Sequence, residues 1–167
     1  YGPIISYFKA YFYFAHLFCY LSLPWPSLDH CFSHNLINPY NHQYKTNFIS
    51  VIPASLFGPR DKYDLVNSHI IPTLIRKCYE AKLNNQPSIT ISGSKNRRRE
   101  MLYADDMANA CTFLMNNYNS SEAINIGCGI DYSIEEIADK VRGIVDYNGE
   151  IIYDTSKPDG MRQKLLD

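Results

Sequence analysis

His69 is the residue in this chain best suited to move a proton. Histidine is the side chain most used for proton transfer, and this one sits in the run NSHIIPTLIRK, where the sequence marks the mouth of a helix. A histidine in such a place also serves as a helix cap or a satisfied surface residue, and both readings stand at this point. The second chemical feature is a cation cluster, Lys95, Arg97, Arg98 and Arg99. A planar guanidinium matches phosphate oxygens in a two-pronged fashion, so anion recognition is one reading. A solvated basic loop is another. Nucleic-acid binding is a third, weakened by the cluster's shortness and its lack of interleaved aromatic residues. Asp105-Asp106 could serve acid–base work or a metal, but adjacent acids opening a helix also simply favour its dipole. Gly127-Cys128-Gly129 reads as a turn, because no further glycine extends it into a phosphate-binding pattern. Lys157-Pro158-Asp159-Gly160 makes another turn, with Arg162, Lys164 and Asp167 behind it.

These residues need elements to hold them. Phe48–Ile52 is a short apolar run rich in β-branched residues and bounded by Asn47 and Pro53, which predicts a buried strand. Gly58-Pro59 punctuates a turn, and Arg60-Asp61-Lys62 a solvated loop. Asn67 and Ser68 are both good N-caps, and Pro72 suits a first helical turn. The following helix has Ile70, Leu74 and Cys78, and also Ile71, Ile75 and Tyr79, at four-residue spacing, an apolar face for a sheet. Strands are predicted near 47–52, 88–92 and 123–126, and helices near 70–83, 105–117 and 133–145. Met107, Cys111, Leu114 and Met115 would be the buried stripe of the second of these helices. Ser133-Ile134-Glu135-Glu136 reads as a capping box for the third, and Gly149–Asp154 adds a last strand. Alternation of this kind gives an α/β fold.

Composition limits the partners. Sixteen basic residues face seventeen acidic ones, so no long-range field draws the chain to nucleic acid or an anionic membrane. Five cysteines without a C-x-x-C argue against a disulfide framework or a zinc site and fit a reducing, cytoplasmic compartment. Residues 1–35 differ from the rest: eleven of the 23 aromatic residues lie in Tyr1–Phe32. The uncharged run Ala10–Leu23 has 14 residues, short of the roughly 20 a spanning helix needs. A segment foreign to the fold, a buried helix and a membrane-associated segment all remain open for it, with packing outside the fold expected.

The stretches PASLFGPRDKYD and NSHIIPTLIRK, then RREMLYADDMA, INIGCGIDYSIEEIA and YDTSKPDGMRQKLLD, run in order through residues 36–167. Together they resemble the GDP-L-fucose synthases of the extended short-chain dehydrogenase/reductase superfamily. The resemblance implies the C-terminal half of an extended Rossmann-type α/β fold, without the glycine-rich first βαβ unit. It implies conversion of GDP-4-keto-6-deoxy-D-mannose to GDP-L-fucose, by epimerisation at two carbons beside the ketone and then reduction by NADPH. His69 matches the family's catalytic acid, whose cysteine partner lies on an upstream strand. Pro53, Ala54, Ser55 and Leu56 match the loop over the nicotinamide end of the cofactor, which His69 also meets. Lys77 matches the basic residue at the nucleotide phosphates, and Arg99 the arginine of the loop that holds GDP. Ser92 stands where that loop has its base-stacking tryptophan. Lys157, Asp159 and Asp167 fall in the segment that closes over the sugar nucleotide.

The resemblance also marks departures. Counting back without gaps puts Pro26 and His30 where the family has the Tyr and Lys of Y-x-x-x-K, and no G-x-x-G-x-x-G turn is present. The expectation is therefore a family fragment, residues 36–167 forming a partial domain with the substrate-binding part, inactive by itself. The family's homodimer and its GDP-sugar substrate are the partners implied, with no nucleic acid. Another sugar-nucleotide epimerase or dehydratase, and a non-catalytic sugar-nucleotide-binding remnant, are the alternatives.

Overall fold

A computed structural model of the chain describes residues 36–65, 68–156 and 159–166. Expectations about residues 1–35, Asn67, Lys157 and Asp167 therefore lie outside the described residues. The chain divides into two compact units. In the first, residues 36–44 form a helix, α1. Ile37 is its buried anchor, and the Asn41 amide clamps the chain beyond it, donating to the Phe48 carbonyl at 2.8 Å and accepting from the Phe48 N–H at 2.9 Å.

The second unit carries the remaining elements. They are β1 (Ser50–Pro53), β2 (Ser55–Phe57), α2 (Ile70–Leu83), β3 (Ser88–Ser92), β4 (Arg98–Tyr103), α3 (Ala104–Asn117), β5 (Ala123–Ile126), β6 (Asp131–Ser133), α4 (Ile134–Val145), β7 (Glu150–Asp154) and β8 (Gln163–Lys164). β3 and β7 pair in parallel with Ile89 opposite Ile151 and Ile91 opposite Tyr153. Helices α2 and α4 cover this pair. Leu74, Cys78 and Ala81 from α2 and Ile137, Ala138 and Val141 from α4 close on Ile89 and Ile91 to make the larger core. The period-four apolar face expected for α2 is there, except that Tyr79 turns out to solvent. Burial pushes the Cys78 thiol above its ordinary pKa, with Arg142 opposing weakly.

β1 pairs with β5, and β4 organises a third, four-stranded sheet. It runs parallel to β2 (Ser55 opposite Met101) and to β8 (Arg99 opposite Lys164), and antiparallel to β6 (Glu100 opposite Asp131). Leu102 joins Ala54 and Ile126 in a smaller core, which Met107, Ala110 and Leu114 of α3 cover. Two expectations are corrected here. Met115 is exposed and Ala110 takes its place in the stripe of α3, because the helix meets the sheet one position earlier in its turn. Residues 98–100, for which a solvated basic loop was one reading, begin β4, since pairing on both edges overrides the polarity of its residues.

Helix ends follow local chemistry. Ser133 caps α4 in a reciprocal box: its hydroxyl accepts from the Glu136 N–H at 3.1 Å, and the Glu136 carboxylate from the Ser133 N–H at 2.7 Å. Helix α2 starts later than its polar residues suggest. His69, not Ser68, is its N-cap residue and makes no side-chain capping bond, while the Ser68 hydroxyl pairs with the Thr73 hydroxyl at 2.7 Å.

Candidate functional site

A cavity of about 390 Å³ opens where β2, the mouth of α2 and the ends of β3 and β4 meet. Ser55 and Leu56 of β2 form one wall, Ser68 and His69 stand at the mouth of α2, and Lys77 lies two turns further along that helix. Ser92 closes the end of β3, and Arg97 and Arg99 flank the start of β4. Local structure puts them there. Parallel pairing of β2 with β4 brings Ser55 beside Met101, and Gly93, at φ 95°, turns the chain between β3 and β4 in a conformation that glycine adopts freely.

Six residues that the resemblance assigned therefore share one space: Ser55, Leu56, His69, Lys77, Ser92 and Arg99. Pro53 and Ala54 do not line it. Ala54 is buried in the smaller core, and its N–H donates to the Ile126 carbonyl at 2.9 Å. Asp159 lies at a second cavity of about 300 Å³, shared with Ser94, Asn96, Arg97 and Arg162. There its carboxylate accepts from the Ser94 N–H at 2.8 Å and sits 3.5 Å from Arg97. Asp105 and Asp106 are exposed in the first turn of α3 and line neither cavity, which is the helix-dipole arrangement. Among the described residues no group of histidine, cysteine, aspartate and glutamate is placed to hold a metal ion, and no helix is long and apolar enough to cross a membrane.

The larger cavity is electropositive. Lys77, Arg97 and Arg99 line it with no carboxylate among the lining residues. Lys77 donates to the Thr90 carbonyl at 2.6 Å, and Arg99 to the carbonyls of Arg98 and Met161 at 2.6 and 2.8 Å, so each head group is anchored on backbone. Burial, and after it the like charge of Arg97, pull the Arg99 guanidinium below its usual pKa, with Asp159 opposing. His69 is exposed at the mouth. Because its side chain does no capping, the cap reading of this histidine falls.

Sequence reasoning missed Glu100. It is 1% exposed, a buried charge. Its two oxygens accept from the Gly129 N–H at 2.7 Å and the Leu166 N–H at 2.9 Å. A Cβ on Gly127 would lie 2.2 Å from the same carboxylate, so only glycine fits there. Burial pushes this carboxyl up, but N–H donation from Leu166, Gly129 and Cys128, with the Cys128 thiol, outweighs it and holds the group below the ordinary glutamate range. The G-x-G turn thus serves to let a carboxylate approach the backbone. Alternation with Leu102 was the signal that could have revealed Glu100.

This architecture, a parallel α/β unit with a cavity at the strand ends, defines a class, and comparison gives it a family. Residues 28–127 match the NAD dependent epimerase/dehydratase family, and the chain belongs to it. The match begins eight residues upstream of residue 36, inside the segment of unusual composition. Among curated relatives, a GDP-L-fucose synthase of Sinorhizobium fredii is 47% identical over 131 residues, covering 78% of this chain and 42% of that protein. Among solved structures, a GDP-L-fucose synthetase from Naegleria fowleri bound to NADP aligns with a TM-score of 0.73 and 30% identity, over 83% of this chain and 44% of that one. A GDP-6-OMe-4-keto-L-xylo-heptose reductase from C. jejuni gives 0.73 and 31%, over 80% of this chain and 50% of the other. The chain spans half or less of the length of each.

Proposed function

We propose that this chain is the substrate-side part of a GDP-L-fucose synthase, which in its complete form converts GDP-4-keto-6-deoxy-D-mannose to GDP-L-fucose. One observation carries the reading: His69, Lys77 and Arg99 share a cavity that has three cations and no carboxylate in its lining. Such a space suits a diphosphate, whose charge Lys77 and Arg99 offset, with the sugar directed towards His69 at the mouth. Asp159, Lys157 and Asp167 belong to the segment proposed to close over the sugar nucleotide, and residues 36–167 to a partial domain of the complete enzyme. That enzyme is proposed to be a homodimer.

The chemistry follows from acidity. A C–H bond beside a ketone loses its proton far more readily than an ordinary one, because the carbonyl oxygen takes up the charge. Inversion needs a base on one face and an acid on the other. In this reading His69 is the acid, returning a proton to carbon. Bound NADPH supplies hydride for the reduction that follows. Ser55, Leu56 and His69 fit its reacting end as a shared wall, whereas the glycine-rich turn that would seat its pyrophosphate is not in the sequence.

The test is a chimera joining residues 36–167 to the N-terminal half of an intact family member, supplied with the keto sugar and NADPH. His69→Asn is expected to lower GDP-fucose formation by about a hundred- to ten-thousand-fold, the usual loss of a proton-transfer group. An Asn variant as fast as its parent would remove His69 from the chemistry.

A further inference from the structure

Arg97 stands at the wall between the two cavities and lines both. The resemblance gives it no role. Its side chain is 19% exposed. Nε donates to the Ser94 carbonyl at 3.3 Å and Nη2 to the Ser92 carbonyl at 2.9 Å, and Nε lies 3.5 Å from the Asp159 carboxylate. Gly93 lies beneath it: a Cβ there would come 2.3 Å from Nη2 and 2.6 Å from Cζ. The guanidinium is therefore fixed in place by three acceptors and by a glycine that lets it rest on backbone.

A guanidinium carries five N–H donors. The bonds above use Nε and one hydrogen of Nη2, which leaves the second hydrogen of Nη2 and both of Nη1 without a hydrogen bond to the described residues. The side chain is half-buried, so these donors are accessible to a ligand. Its charge is also uncompensated on one side. Asp159 faces it from the smaller cavity, but on the larger cavity its neighbours are Arg99 and Lys77, whose own head groups are tied to backbone carbonyls. Two guanidiniums and an ammonium around one space, with three N–H donors to spare on Arg97, call for an anion with several oxygens.

We propose that Arg97 is a ligand-binding residue of this site. Its remaining donors take oxygens of the diphosphate of a nucleoside diphosphate sugar held in the larger cavity, while Ser92, Ser94 and Asp159 orient it for that contact. The inference rests on the nucleotide reading above and adds to it the residue that discriminates a diphosphate from a less charged ligand. The competing view is an arginine that only pins the turn at 92–97.

Titration calorimetry on the 167-residue chain decides between them, with GDP and inorganic pyrophosphate as separate ligands and thermal unfolding of every variant as the control. Arg97→Met is expected to weaken both ligands about ten- to a hundred-fold, as loss of a charge-assisted bond does, and Arg97→Lys to weaken them less. If Arg97→Met does not melt cooperatively, Arg97→Lys alone gives the answer, since an ammonium cannot reproduce the fork. Unchanged GDP affinity in a folded variant overturns the proposal and leaves the nucleotide reading standing. Weaker GDP with unchanged pyrophosphate overturns the diphosphate contact. A parent chain that binds neither ligand overturns the nucleotide reading itself.

Discussion

Replacing Glu100 by glutamine changes one oxygen to an NH₂ in a side chain that is 1% exposed. In the native chain both carboxylate oxygens accept from backbone, Gly129 at 2.7 Å and Leu166 at 2.9 Å. Glutamine can satisfy only one of these. Its amide nitrogen is a donor, so it faces the other N–H donor to donor. Loss of one hydrogen bond to a charge is worth about 1.5–3 kcal/mol, and a buried N–H left unmet costs about 1–3 kcal/mol. The two overlap, so Glu100→Gln is expected to destabilise the chain by about 3 kcal/mol at neutral pH, a large part of the 5–15 kcal/mol typical of a domain. Urea denaturation followed by circular dichroism measures this directly. The pH dependence supplies the check on sign. A carboxyl whose folded pKa is depressed contributes stability that is fully present above its unfolded pKa and fades as pH falls through the lower folded value. The gap between parent and variant should therefore be flat above about pH 5 and narrow only below the ordinary glutamate range. A gap under about 0.5 kcal/mol, or one that widens on acidification, would refute the reasoning.

Ser133→Ala should lower stability by about 1 kcal/mol, read as a shift in urea midpoint, because the hydroxyl is the acceptor half of the box that starts α4. Arg99→Ala, placed in a complete enzyme, should raise the KM for a GDP-sugar with little change in kcat at saturation, the signature of lost uniform binding. A large fall in kcat at unchanged KM would move Arg99 from binding into the chemistry.

The elements legible in the sequence are those whose burial follows a period. Ile89 and Ile91 alternate, Leu74 and Cys78 recur every four residues, and Ser133 with Glu136 announces α4. All three became structure where expected. The strands that went unread are β2, β4, β6 and β8, each defined by its partners and not by its own residues. β4 is the instructive one. Its inward positions hold Glu100 and Leu102, so the alternation is half charged, and donors remote in sequence, from Cys128, Gly129 and Leu166, make that burial favourable. Helix α2 falls on the expected span, but its capping side chain was misjudged for a related reason. Ser68 is a good cap by type, but its hydroxyl is engaged with Thr73. Of the residues the motifs singled out, His69, Lys77 and Arg99 share one cavity. Arg97 was visible only as part of a cluster, because its role depends on the turn that folds it back over Gly93.

The order of strands also sets an order of assembly. β3 is made early but finds its parallel neighbour only when β7 has followed, with β4, α3 and α4 produced in between, and pairings of such long range are slow to close. β4 waits longer still, for β8, and Oε2 of Glu100 does not receive its backbone N–H until Leu166 arrives. During synthesis that charge stays in water and the smaller core stays loose. A chain cut anywhere before Leu166 would leave Oε2 of Glu100 without the N–H of that residue.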